Sequence, residues 1–445
     1  MLASMALHPV LVEKLNAALA PLDVSSATRR DVALPPIGGK VQAVIGMRRT
    51  GKSTFLRQKV AEARGSVPDG RALYLSFEDA RLDGIDASQL ELLLEEYYRR
   101  QPAWRGRELS HWFLDEVQEV PGWERFVRRI LDDETIEVVV SGSSARLLSR
   151  EIHTALRGRG LATVMRPFSF REYLRHRGDE PSIPPTQWTP GQRSRYERRF
   201  LDFLVEGGFP EAQGVTPEWR VELLQGYVET VVFRDVVERY GVTQVAALRW
   251  LVRHALKNPC RGLSAHGLYR DLRSQGHAVG KDTVHELLGH VVDAFLLTEV
   301  FLATESERQR NSNPRRVYPA DPALIGAFDA SGRPNLGHAL ETAVLHEALR
   351  RRGEATYVKT RDGFEVDFLV RCRDGRSELL QVCADPSDEA TLARELRGLE
   401  AAGREVPGAP PGCLLVLTRE QATPLVRAGF DARPAYEWML APRHD

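Results

Sequence analysis

Along the first third of the chain, short apolar runs alternate with longer stretches in which apolar residues recur every three or four positions. Residues 41–45 are apolar except for Gln42, and comparable runs occupy residues 71–77, 111–114 and 136–140. Between them, residues 55–63, residues 87–100 and the segment after Pro121-Gly122-Trp123 carry helical spacing. Strands alternating with helices in this way predict a doubly wound α/β layer with a parallel sheet, whose chemistry sits at the carboxyl ends of the strands. Residues 1–22 read as an amphipathic helix packed on this first domain. His8, Glu13 and Lys14 interrupt its apolar positions, which argues against a signal peptide.

Further on, the pattern changes. Residues 181–191, with Pro184, Pro185 and Pro190, predict a surface linker. Residues 195–205 predict a helix with a basic face of Arg195, Arg198 and Arg199, which suits either a DNA patch or a solvated surface. Glu206-Gly207-Gly208-Phe209-Pro210 breaks it, and residues 221–240 predict a second helix carrying Arg234-Asp235. Residues 263–272, a turn at 274–276, a helix from Gly280 and an apolar strand at 294–301 follow the order of a winged helix. In that reading Lys281, Thr283 and His285 are candidate DNA contacts, and residues 305–316 form a basic loop with Arg308, Arg310, Arg315 and Arg316. A helix at 335–352, strands at 355–359, 364–370 and 378–383, and later pieces at 392–399, 413–417 and 435–440 complete a second α/β unit.

At 445 residues, the chain is longer than one hydrophobic core serves. Lys plus Arg and Asp plus Glu each total 61, so the whole chain gives no electrostatic argument for nucleic acid, and any such binding must come from a local patch. Lysine is scarce, at Lys14, Lys40, Lys52, Lys59, Lys257, Lys281 and Lys359. The cysteines, Cys260, Cys372, Cys383 and Cys413, lack the paired spacing of a zinc site or disulfide framework, which fits a reduced cytoplasmic protein. No apolar run is long enough to span a bilayer.

The sharpest signal is Gly46-Met47-Arg48-Arg49-Thr50-Gly51-Lys52-Ser53-Thr54, a phosphate-binding loop between a strand and a helix. Gly46 and Gly51 let successive N–H groups face a polyphosphate, and the helix N-terminus adds its dipole. Lys52 reaches the terminal phosphates of ATP and the Ser53 hydroxyl is a ligand for Mg²⁺. Residues 111–118 form an apolar strand ending in Asp115 and Glu116. Asp115 is the second candidate Mg²⁺ ligand, and Glu116 the candidate general base. Ser141 and Ser143, after the next strand, suit a sensor of the γ-phosphate or attacking water, while Ser143 and Ser144 suit a plain helix cap. Arg157 and Arg159 are candidates for neutralising charge on the phosphoryl group, from the same chain or a neighbour, and Arg234 is a third candidate or an ion-pair member.

The co-linear series GMRRTGKST, YLSFEDARL, HWFLDEVQEVPGWE, VVVSGSSARLLSREI, LRGRG and RPFSFREYL resembles one family. It is the large group of prokaryotic AAA-type ATPases with a C-terminal domain of unknown function related to restriction-endonuclease-like nucleases. VEGGFPEA, FRDVV and GFEVDFLV extend the resemblance over nearly the whole chain. In that family Arg48 matches a usual loop arginine, and Arg159 the arginine of a "GR" element. The resemblance implies an AAA-type P-loop domain at 1–165, a helical extension or lid at 166–245, a winged-helix-like domain at 246–330 and a nuclease-like domain at 331–445. The last is similar to the PD-(D/E)xK core, where Asp367 matches the metal-binding Asp and Glu341 the helix acid. Gln381 and Cys383 depart from the acid and lysine of that motif, which predicts a domain without nuclease activity. Glu365 is the one acid on the same strand that could substitute as a ligand. The expected function is Mg²⁺-dependent ATP hydrolysis with DNA as partner, in a chain able to form a homo-oligomer and carrying no membrane segment. The alternatives are an ATP-dependent switch acting through protein partners, and an ATP-regulated nuclease.

Overall fold

The computed structural model describes residues 6–143, 156, 158–329, 331, 334–351, 353–372 and 374–442. Internal contacts divide the chain into two compact units, residues 1–165 with 293–295, and residues 166–292 with 296–445.

The first unit runs α1 (Pro9–Ala18), β1 (Val41–Ile45), α2 (Lys52–Arg64), β2 (Ala72–Ser76), α3 (Ala87–Arg100), β3 (Ser110–Asp115), α4 (Trp123–Asp133), β4 (Ile136–Gly142) and β5 (Gly160–Val164). Among the described residues its strands form one parallel sheet in the order β2-β3-β4-β1-β5. Central β1 is buried at every position, and Gln42 is tolerated there because its amide donates to the Pro35 carbonyl at 2.9 Å. Apolar residues of α1, α3 and α4 cover one face of the sheet, and Phe55, Leu56 and Val60 of α2 cover the other. Trp112 of β3 is fully buried with Tyr97 and Phe126 at ring-centroid distances of 5.4 and 6.4 Å. Burial of side chains such as Phe126 and Ile130 stabilises the layer by about 1.5–3 kcal/mol each. The N-terminal helix expected over 1–22 is shorter, capped by His8 and anchored by Leu11, Leu15 and Ala18.

The second unit begins with α5 (Phe170–His176), α6 (Pro190–Glu206), α7 (Pro217–Thr230) and a π-helical turn at Val231–Glu238. Then follow α8 (Val245–Lys257), β6 (Gly262–Leu263), α9 (Ala265–Ser274), α10 (Lys281–Asp293), β7 (Leu297–Leu302), α11 (Glu307–Ser312) and β8 (Arg315–Pro319). The remainder is α12 (Ala323–Phe328), α13 (Leu336–Arg350), β9 (Gly353–Lys359), β10 (Glu365–Cys372), β11 (Ser377–Cys383), α14 (Glu389–Glu405), β12 (Gly412–Val416), α15 (Arg419–Arg427), β13 (Ala432–Pro434) and α16 (Ala435–Leu440).

Three expectations change here. The segments 246–330 and 331–445 share one mixed sheet, β13-β12-β11-β10-β9-β7-β8-β6. Its continuity comes from β7, which pairs parallel with β9 at Phe301↔Thr356 and Leu302↔Tyr357 and so covers an edge that would otherwise be open. The helices of 166–245 belong to the same unit, because Phe170, Phe200 and Phe203 share a core cluster with Leu340, Val344 and Tyr436. Finally, Arg315 and Arg316 lie in strand β8, outside the expected basic loop. Arg315 pairs with Glu299 at 2.8 Å. The basic face of α6 is neutralised as well, with Arg199 bonded to Asp179 at 2.8 Å and Arg198 to Asp202 at 3.3 Å.

Candidate functional site

The phosphate loop follows β1 at the carboxyl edge of the first sheet. Gly46 is required there: a Cβ would meet the Met165 carbonyl oxygen at 2.1 Å. Gly51 at φ 93° makes the left-handed turn into α2, and Arg49 also adopts positive φ, 67°. The loop is held from inside by Thr50, whose hydroxyl donates to the Met47 carbonyl at 2.9 Å, and from outside by Arg30, which donates to the Thr50 carbonyl at 2.7 Å. Met47 is buried, so its side chain belongs to the core, and Thr54 is exposed. Arg48 pairs with Glu78 at 2.8 Å.

Lys52 is 5 % exposed, and its ammonium donates to the Gly46 and Met47 carbonyls at 3.0 and 3.2 Å. Across from it, Glu116 Oε1 lies 4.0 Å away. Asp115 ends β3 with both carboxylate oxygens engaged: Tyr74 donates to one at 2.5 Å and the Ser141 hydroxyl to the other. The pKa of the Tyr74 phenol is pushed up first by burial and then by Asp115, with Arg57 and Ser53 opposing the rise. Tyr74, a residue the sequence reading did not single out, therefore holds one candidate magnesium ligand, Asp115, and stands near the other, Ser53. Its signal was its place on β2, in register with Phe113 two residues before Asp115.

Glu116 leaves the strand with φ 51°, a left-handed conformation uncommon outside glycine. The turn is held by its own N–H, which donates to the Ser141 hydroxyl at 3.1 Å. Burial pushes the Glu116 carboxyl above the ordinary carboxylate range, opposed by Lys52 and reinforced by Asp115. Ser141 thus joins the two acids. It donates to one and accepts from the backbone of the other, so in this state its hydroxyl orients Asp115 and Glu116 instead of facing open space.

Arg159 precedes β5, whose Gly160 pairs with Val41 at the start of β1. The phosphate loop follows the other end of β1, about 13 Å away at strand rise, farther than an arginine side chain spans. Arg159 instead pairs with Asp132. Arg159 thus lies away from the phosphate loop of its own chain. Arg157 and Ser144 lie outside the described residues. Arg234, in the second unit, pairs with Glu238 at 3.3 Å, while buried Asp235 faces Arg239 at 3.7 Å, so the two are not each other's partners.

In the second unit the nuclease-like candidates do converge. A bulge between Val366 and Leu369 reverses the facing of β10 across Asp367, as bulges do where a strand re-aims a side chain. Glu341 of α13, Glu365 and Asp367 then surround the guanidinium of Arg316, at 3.7, 2.7 and 2.8 Å. Tyr318 donates to Glu341 at 2.7 Å, and the Gln381 amide donates to Asp367 at 2.9 Å and also to Glu395. Burial and the Asp367 carboxylate push Glu341 up to about 8, against Arg316 and Tyr318. Burial also raises Asp367, against Arg316 and the Val382 N–H. Cys383 is buried, and its thiol is pushed up to about 11 by that burial. A divalent ion does not fit this set, because a fixed guanidinium already neutralises the carboxylates and an amide replaces an acid. Arg316 and Tyr318 were not legible as members of the pocket.

The AAA domain family matches residues 38–174, and a domain of unknown function, DUF8612, matches residues 197–334. The chain is 30% identical over 382 residues to the "Uncharacterized protein MJ1544" of Methanocaldococcus jannaschii, covering 85% of this chain and 82% of that one. An uncharacterized protein of Haemophilus influenzae is 25% identical over 337 residues, covering 75% of this chain and 80% of that one. Among solved structures, the Aeropyrum pernix ORC1 protein in complex with DNA covers 74% of this chain and 93% of its own, at 14% identity and a TM-score of 0.29. Cdc6p from Pyrobaculum aerophilum covers 74% and 94%, at 13% identity and a TM-score of 0.23. Among the described residues, no helix is long and apolar enough to cross a membrane. With a phosphate loop on a parallel α/β sheet, and a relative matched over most of both chains, this protein belongs to the family of the Methanocaldococcus jannaschii protein MJ1544 and carries the AAA domain of nucleotide-binding ATPases.

Proposed function

We propose that the chain is a Mg²⁺-dependent ATPase whose second unit engages DNA. The observation that carries the ATPase reading is the convergence of Lys52, Ser53, Asp115 and Glu116 at the carboxyl edge of one parallel sheet. The oxygen donors of Ser53 and Asp115 fit Mg²⁺, a hard cation that would neutralise charge on the phosphates. Lys52 exchanges its loop carbonyls for phosphate oxygens, and the loop N–H groups hold the rest of the chain of phosphates. Tyr74 and Ser141 fix the Asp115 carboxylate. Glu116 takes the proton of the attacking water, and its raised pKa suits a base that must both accept and release a proton. Arg159 acts in trans, on the nucleotide of a neighbouring copy.

That last role has a direct check. Lys52→Ala and Arg159→Ala, each inactive alone, recover turnover when mixed, because a subunit with an intact loop then meets a neighbour with an intact arginine. Mixtures no more active than their parts would remove Arg159 from catalysis.

For the second unit, support for DNA comes from α8, β6, α9, α10 and the β7–β8 ribbon, which follow one another in winged-helix order. Lys281 and His285 at the start of α10, and Arg308 on α11, are exposed. The test is duplex DNA binding by fluorescence anisotropy across a salt series, with ATP turnover measured alongside. Affinity that falls steeply with salt and turnover that rises with DNA are expected. Salt-insensitive or absent binding with DNA-indifferent turnover would shift the reading to a switch acting on protein partners. We also propose that the nuclease-like sheet does not cleave DNA, on the strength of Arg316 and Gln381 standing among its acids.

A further inference from the structure

The second unit contains a two-part cavity that neither nucleotide chemistry nor the acidic pocket uses. Its inner part, about 220 Å³, is apolar, lined by Leu224 of α7, Ala323 and Ile325 of α12, and Leu336 and Ala339 of α13. Past Val205 and Pro217 it adjoins a wider, more open part of about 580 Å³, still largely apolar in its walls, that reaches Arg177, Arg198 and Glu206. Arg220 of α7 lines both parts and so stands where the charged side chains of the outer part begin.

The charged end is short of acceptors. Arg220 is 8 % exposed; it donates to the Val215 carbonyl at 2.7 Å and lies 3.4 Å from Glu206, yet its buried Nε has no hydrogen-bond partner. Arg177 is in the same position: it donates to Glu206 and lies over the Tyr173 ring, while its Nε is buried without a partner. Glu206 also accepts from the Tyr173 hydroxyl at 2.8 Å, so one carboxylate serves two guanidinium groups and a phenol. Arg198 is matched by Asp202 at 3.3 Å. Three arginines against Asp202 and Glu206 leave this end with one excess positive charge. The acid of the inner part, Asp329, accepts from the Ser331 N–H at 2.8 Å. The Nε groups are sealed from the cavity, but each guanidinium has further N–H groups on Nη, and a guanidinium is shaped to meet a carboxylate. An apolar cavity with convergent polar groups at one end has the build of a small-molecule site.

From this geometry we infer that the cavity binds a small amphipathic anion, an aliphatic carboxylate with its head against Arg220 and Arg177 and its chain between α7, α12 and α13. Titration calorimetry on the full chain tests it, with octanoate as probe, acetate as the head alone and octanol as the chain alone. Octanoate should bind saturably at one site, and acetate and octanol at least tenfold more weakly. Arg220→Gln should weaken octanoate at least tenfold, and so should Ala339→Leu, which fills the inner part and leaves every polar group in place. Should Arg220→Gln fail to fold, Ala339→Leu decides alone. No saturable heat at millimolar octanoate, or a folded variant that binds it as the wild type does, would overturn the inference.

Discussion

Glu116→Gln leaves ATP binding intact and lowers turnover by about 10²–10⁴-fold, the range supplied by a positioned base, whereas Lys52→Ala removes binding itself. The two outcomes differ because the two side chains face different demands. Lys52 is a buried cation whose partners include the Gly46 and Met47 carbonyls and, at 4.0 Å, Glu116. Phosphate oxygens offer it full negative charge in place of those dipoles, so its loss is felt in the bound ground state as well as in turnover. Glutamine keeps the size of Glu116 and an oxygen to accept from Gln118, which bonds that carboxylate now. It cannot take a proton. Binding of a fluorescent ATP analogue and phosphate release measured on the same samples separate the cases, and wild-type turnover by Glu116→Gln would remove it as the base.

The same substitution has a signature in stability. Burial holds the Glu116 carboxyl above its ordinary pKa, so the folded state keeps a proton that the unfolded chain releases. The stability this group contributes is therefore full below the ordinary carboxylate value and is lost as pH rises through the raised one. Removing the ionisable group should raise the melting temperature of the nucleotide-free protein at neutral pH while lowering turnover. A loss of turnover accompanied by unfolding would mean that the structure, and not the chemistry, had been damaged.

How much of this was legible in sequence depended on whether the information is local. The phosphate loop was readable because glycine spacing, Lys52 and the flanking strand and helix all lie within a few residues of one another. Asp115 and Glu116 were readable because carboxylates at the end of an apolar strand have few other reasons to be there. Tyr74 was not, since its contact with Asp115 depends on which strand lies beside β3, and a tyrosine in an apolar run looks like core. The same holds for Ser141, whose place between the two acids is a matter of sheet order. Arg159 was identified as a candidate, but only the parallel pairing of β5 with β1 puts it at the far edge of the sheet. In the second unit, helical and strand periods gave the order of elements well. They could not reveal that β7 pairs with β9, and so could not join two expected domains into one sheet. Arg316 was hidden for the same reason: on paper it is one of four arginines in a polar stretch.

Arg316→Met should destabilise the second unit by about 3–5 kcal/mol at neutral pH, the range for breaking a buried ion pair by removing one partner. Arg316 is the cation facing Asp367 at 2.8 Å, and it also touches Glu365, which is half exposed and has Lys359 3.7 Å away. Burial and Asp367 raise the pKa of Glu341, which also accepts from Tyr318, so the charge most dependent on Arg316 is that of Asp367. Methionine fills comparable volume and offers nothing to a carboxylate. The deficit should shrink as pH falls, because protonation of Asp367, whose pKa burial already raises, removes the uncompensated charge. Asp367→Asn in the Arg316→Met background should recover most of the loss, since an amide keeps an acceptor for the Val382 N–H, which Asp367 now receives at 3.0 Å. Urea unfolding of the wild type and the two variants at pH 7 and pH 5 gives the comparison. If Arg316→Met unfolds at the wild-type midpoint, or if the deficit is the same at both pH values, then Arg316 is not the charge that keeps this pocket of acids folded. If the double variant recovers, the pocket behaves as a closed ion network centred on an arginine of β8.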